Sequence, residues 1–220
     1  MDRHSQSTAL YFRPLVSLSA GRIIGFTAHG GIGNGLLHAA CRTAAQWPDD
    51  FTLGVALAAA QWRDATLGLR VLSVLGDSGL APARLELEIT EAALDSDTDK
   101  IHRTIDELRT VGVMIALGGC GAGPGAALPP FCFDTIRLDP DLVWRLGYDK
   151  DCDRIADTLI ALAEDRGLVT AADGISTGEQ RDLLNAKGCA EGQGDLFGGA
   201  VTAQDIPSLL RFPSLADAVA

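Results

Sequence analysis

Short apolar runs rich in branched residues alternate along this chain with longer segments of helical period, the pattern of βα units arranged around a parallel sheet or barrel. Eight strands are expected, around Ala9 to Leu18, Arg22 to His29, Phe51 to Ala58, Leu85 to Thr90, Val113 to Leu117, Asp134 to Leu138, Leu168 to Ala172 and Cys189 to Gly192. The first two are separated only by Ser19-Ala20-Gly21. That connection is too short for a crossover helix, so these two strands should pair antiparallel. Helical period predicts helices over Leu36 to Trp47, Trp62 to Leu75, Ile101 to Val111, Asp153 to Arg166 and Thr177 to Lys187. Pro48-Asp49-Asp50 ends the first, and Gly167 should stop the fourth in the left-handed conformation. Thr177-Gly178-Glu179-Gln180 has the form of a capping box and sets the start of the last. In the fourth strand Leu85, Leu87 and Ile89 share one face, and Glu86, Glu88 and Thr90 share the other.

Composition narrows the picture. With 220 residues, 47% of them hydrophobic and only 5% aromatic, the chain can build one substantial core from Ala, Leu, Val and Ile. A single domain spanning 1–220, with its core at about 9–212, is the expectation. The 18 basic and 29 acidic residues give a net charge of -11, which repels a polyanion and disfavours nucleic acid as a partner. Five cysteines, at 41, 120, 132, 152 and 189, are odd in number and contain no C-x-x-C pair, so neither a disulfide framework nor a zinc site is indicated, and a reducing cytoplasm is the expected location. No apolar stretch is long enough for a membrane helix.

Most motifs of catalysis are missing. Gly121-Ala122-Gly123-Pro124-Gly125-Ala126 loosely fits the dinucleotide fingerprint, but Pro124 and Leu128-Pro129-Pro130 suit a loop better than the helix that motif must open. It lacks the Lys of a phosphate-binding loop. His4, His29, His38 and His102 are not spaced as metal ligands, and no nucleophile elbow or Cys/His pair is present. No cofactor is expected from these residues.

Six segments carry a resemblance. Tyr11-Phe12-Arg13-Pro14-Leu15-Val16, Gly21-Arg22-Ile23-Ile24-Gly25-Phe26, Leu85-Glu86-Leu87-Glu88-Ile89-Thr90-Glu91, Asp134-Thr135-Ile136-Arg137-Leu138-Asp139, Ala172-Asp173-Gly174-Ile175 and Gly188-Cys189-Ala190-Glu191-Gly192-Gln193-Gly194 resemble, in order and spacing, the EAL domain family of cyclic di-GMP phosphodiesterases. The resemblance implies an α/β fold, a modified TIM (β/α)8 barrel with an antiparallel first strand, and a site at the carboxyl ends of its strands.

Active members of that family use two divalent cations, which need several oxygen ligands. By the resemblance, the ligand positions fall on Thr27, Ala56, Glu88, Gly118, Gly119 and Asp173, so that only Glu88 and Asp173 keep a carboxylate. The lysine that assists the attacking water falls on Arg137, whose guanidinium does not exchange a proton near neutral pH. Two ligand contacts fall on Arg13 and Gly31, and Glu91 falls where relatives steady the loop after the fifth strand.

The expectation is therefore a catalytically inactive barrel with no metal, acting as a regulatory or protein-interaction module. The alternative is a sensor that binds cyclic di-GMP or another anion without cleaving it, through Arg13, Glu88, Arg137, Asp139, Asp173 and Gln193. Two readings of these residues stay open. Glu88 either pairs inside the barrel, with Arg137 or the backbone, or touches a ligand. Arg13 and Arg137 either bind an anion or neutralise Glu88, Asp139 or Asp173. An unidentified protein partner, a weakly bound anion and a second copy of the chain are the partners considered.

Overall fold

A computed structural model describes residues 10–30, 34–94, 98–123 and 133–211. His4, Gly31, Cys132 and the stretch 124–130, which holds part of the glycine-rich loop, lie outside the described residues.

Strands β1 (Tyr11–Ser17) and β2 (Arg22–His29) form the antiparallel pair that the tight Ser19-Ala20-Gly21 connection requires, with Tyr11 opposite His29 and Ser17 opposite Arg22. Six parallel strands follow: β3 (Thr52–Ala56), β4 (Leu85–Thr90), β5 (Met114–Cys120), β6 (Thr135–Leu138), β7 (Val169–Ala172) and β8 (Glu191–Gly192). The ring closes because β1 pairs antiparallel with both β2 and β8. A ninth strand, β9 (Val201–Thr202), adds to β1 outside that ring. The fold is the α/β barrel with a reversed first strand.

Helices α1 (Asn34–Ala44), α2 (Ala59–Trp62), α3 (Leu67–Ser78), α4 (Glu91–Leu94), α5 (Thr98–Thr110), α6 (Pro140–Arg145), α7 (Lys150–Asp165), α8 (Gly178–Ala186) and α9 (Ile206–Arg211) connect and cover the strands. Expected and observed boundaries differ where a side chain intervenes. Helix α1 stops three residues early because the buried Arg84 donates to the carbonyls of Ala44, at 2.9 Å, and Trp47, at 3.4 Å, while its Nε donates to Phe51. The helix expected from Trp62 is interrupted by Asp64, whose carboxylate accepts from the Thr66 amide and hydroxyl, and it resumes as α3. Helix α7 begins three residues early on the Asp149 cap. It ends, as expected, before Gly167 at φ +68°. The capping box of α8 is present in both directions: Thr177 Oγ1 accepts from the Gln180 amide and Gln180 Oε1 accepts from the Thr177 amide. Helix α6 was not anticipated, although Asp139-Pro140 is a cap followed by a proline at the first helical position.

The core lies between ring and helices. Leu53, Leu85, Leu87, Ile89, Leu117, Ile136 and Leu138 are fully buried, and Trp47 packs against the rings of Phe12 and Phe26. Because strand side chains alternate, the opposite face of β4 turns Glu86 and Glu88 into the barrel.

Candidate functional site

Arg137, on β6, stands at the centre of the barrel with 1% of its surface exposed. Its Nη2 donates to Glu86 on β4, its Nε lies 3.5 Å from Glu88 and its Nη1 lies 3.8 Å from Asp173, just past β7. The second oxygen of Glu86 accepts from the Thr135 hydroxyl at 2.7 Å. Burial opposes the charge on Arg137, but Glu86, Asp173 and Glu88 outweigh that opposition and hold its pKa above the ordinary value. Burial pushes Glu88 up to about 7, against the pull of Arg137. It raises Asp173 as well, opposed by Arg137 and by a hydrogen bond from Gln193. Glu191, on β8, is pushed up to about 7 by burial and by the Glu86 charge. One guanidinium thus serves more carboxyls than it can neutralise, and the low polarity of the interior makes holding protons the favourable response.

The rim is built from β1 and β2. Thr27 Oγ1 donates to Gln193 Oε1 at 2.6 Å and lies 2.9 Å from His29 Nε2. Burial, Arg13 and Arg137 together lower the His29 pKa and so favour its neutral form. Arg13 reaches Asp195 at 3.8 Å.

Glu88, Arg137, Asp173 and Gln193 are thus brought together. Arg137 lies 3.5 Å from Glu88 and 3.8 Å from Asp173. Two side chains have their partners outside this cluster. The Asp139 carboxylate accepts from the Asp141 amide at 2.8 Å and caps α6, because a donor two residues away is met sooner than one across the barrel. Arg13 pairs with Asp195 rather than with Glu88, Asp139 or Asp173. Glu86, Thr135 and Glu191 were not singled out as site residues; the two-residue alternation in Glu86-Leu87-Glu88 was the available signal for the first.

Strand β5 runs through Gly118 and Gly119 with a register irregularity between Leu117 and Cys120, and Gly119 sits at φ +76°. A Cβ placed on Gly118 would lie 2.1 Å from Glu88 Oε1, so the Glu88 carboxyl fills the room where a larger residue at 118 would begin. These positions do not fit a paired-cation site. Ala56, Gly118 and Gly119 offer no side-chain oxygen, the Thr27 hydroxyl is committed to Gln193, and Glu88 and Asp173 face a guanidinium. Among the described residues no group of three or more His, Cys, Asp or Glu is arranged to hold a metal ion.

The structure thus combines an α/β ring with one reversed strand and an acidic cluster gathered around a buried arginine at the strand ends. The family model described as the EAL domain matches residues 28–200, and the chain belongs to that family. It is 34% identical over 184 residues to the uncharacterized protein y4lL of Sinorhizobium fredii, covering 83% of this chain and 22% of that protein. It is 29% identical to the bifunctional diguanylate cyclase/cyclic di-GMP phosphodiesterase MucR of Pseudomonas aeruginosa, covering 80% of this chain and 26% of that protein. The chain therefore spans about a quarter or less of the length of these curated relatives. Among solved structures, the MucR phosphodiesterase in complex with cyclic di-GMP superposes with a TM-score of 0.83 at 26% identity, covering 91% of this chain and 94% of that one. The EAL domain of Mycobacterium smegmatis DcpA gives 0.88 at 24% identity, covering 96% and 99%, and speaks to the fold.

Proposed function

We propose that this barrel does not hydrolyse cyclic di-GMP and serves as a regulatory, protein-interaction module in bacterial cyclic di-GMP signalling. The observation that carries this reading is the absence of side-chain oxygen at Ala56, Gly118 and Gly119, where the family places metal ligands. A paired-cation mechanism needs donors enough to complete two coordination shells and to lower the pKa of a bridging water. With those donors gone, no attacking hydroxide is generated. The remaining contribution is contact, with a protein partner or a second copy of the chain. Incubating the protein with cyclic di-GMP and manganese, followed by chromatography, should yield no linear dinucleotide. Turnover would overturn the reading.

A second reading is favoured by the rim. Among the described residues the Arg13 guanidinium is held by Asp195 at 3.8 Å, and its buried Nε has no hydrogen-bond partner there. That group can meet an anionic oxygen. On this reading the domain binds cyclic di-GMP or another anion weakly and does not cleave it. Calorimetric titration with cyclic di-GMP separates the two: binding heat that disappears in Arg13→Ala supports the sensor, and no heat at high ligand concentration leaves the interaction module.

A further inference from the structure

The interior cluster has the wrong balance for a barrel that waits for a metal and the right one for a barrel that has stopped needing one. Buried carboxylates require a counter-cation, since several unpaired charges cannot remain in a low-dielectric interior. Here Glu86 and Glu88 from β4 and Asp173 from β7 approach the same side chain, Arg137 of β6. Of these three contacts the one with Glu86 is a hydrogen bond; among the described residues the buried Nε and Nη1 have no hydrogen-bond partner, and their 3.5 Å and 3.8 Å approaches to Glu88 and Asp173 are held by charge. Gly118 completes the arrangement. The Glu88 carboxyl occupies the space directly over its Cα, at 2.1 Å from where a Cβ would stand. The missing side chain at 118 is what lets Glu88 lie in that position beside Arg137.

We propose that Arg137 is the resident cation of this barrel, standing among Glu86, Glu88 and Asp173 in place of divalent ions and offsetting part of their charge, and that Glu88 lying over Gly118 makes the replacement exclusive, so that the interior refuses magnesium and manganese. The proposal rests on the non-hydrolytic reading above and deepens it. A guanidinium differs from a bound ion in being covalently fixed and permanently charged. A divalent ion entering beside it would meet a like charge at a few ångströms and find its carboxylates already engaged.

The test uses manganese alone. Thermal unfolding and the electron paramagnetic resonance signal of free manganese are followed for the full chain and for Arg137→Ala. The wild-type chain should show no shift in Tm and no loss of signal at millimolar manganese. Arg137→Ala should melt well below wild type in metal-free buffer, recover several degrees on adding manganese, and take up the ion, because the freed carboxylates then favour the state that binds it. Should Arg137→Ala not fold without metal, refolding with and without manganese gives the same readout, with recovery only in its presence. A second variant, Arg137→Met with Glu86→Gln, Glu88→Gln and Asp173→Asn, removes the cation and all three of its carboxylates and should ignore manganese. An Arg137→Ala chain that neither binds manganese nor is rescued by it would overturn the inference while leaving the non-hydrolytic reading intact. Wild-type protein that binds manganese and cleaves cyclic di-GMP would overturn both.

Discussion

Glu191 shows at the scale of one residue how this interior stores protons. Burial, then the Glu86 charge, push its pKa from 4.5 to about 7, while Arg137 pulls it down. The folded chain keeps a proton that the unfolded chain releases between those values. The stability contributed by this group is therefore complete below about pH 4.5 and falls as pH rises through 7. Glu88 follows the same course, with its pKa also raised from 4.5 to about 7. Glu191→Gln removes one of the two titrations. In thermal melts between about pH 4.5 and 8, the wild-type chain should lose roughly 3 kcal/mol relative to the variant, at about 1.4 kcal/mol for each unit between 4.5 and about 7. A difference between the two that stays flat over that range would contradict the shifted pKa. Residue identity alone gave Glu88 two open roles and left Glu86 aside. Choosing between them required the position of Arg137, which lies 51 residues from Glu86 along the chain.

Elements form where local chemistry and long-range packing agree, and helix α8 is the clearest case. Its capping box is written in four consecutive residues and appears with both reciprocal hydrogen bonds. Thr177→Ala should cost about 1 kcal/mol. For a chain of this size that corresponds to a fall in Tm of about 2 to 4 °C in calorimetry. No change in Tm would mean that tertiary packing alone holds the start of α8. Other boundaries were not legible in this way. Helix α1 ends at a point set by Arg84, 40 residues from Ala44, and that arginine carried no periodic signal. Strand β5 runs three residues beyond the expected Leu117 because its neighbours β4 and β6 supply pairing for Gly118 and Cys120. Pairing across a parallel sheet overrides the weak strand propensity of glycine.

At the scale of the whole molecule, every strand of the ring has a neighbour on both sides, and closure depends on β1 joining the two ends. We propose on this basis that the chain unfolds as one domain. Trp47 and Trp62 are buried, at 6% and 1% exposure, and report on the core, whereas Trp144 is 70% exposed. Denaturant titrations followed by tryptophan fluorescence and by far-ultraviolet circular dichroism should therefore give coincident midpoints. Separated transitions would show that the ring and part of its helical cover are independent units.

The alternation of apolar and polar positions was enough to determine the order of the eight ring strands and of helices α1, α3, α5, α7 and α8. With the short Ser19-Ala20-Gly21 connection it also determined the reversed first strand, because both depend on neighbours close in sequence. The chemistry at the strand ends was decided by the tertiary structure. Asp139 turned to a local amide, Thr27 found Gln193 at a separation of 166 residues, and Glu88 settled over Gly118 beside Arg137. Charge placed in a buried interior must choose among all partners the fold brings within reach, and that choice is made in three dimensions.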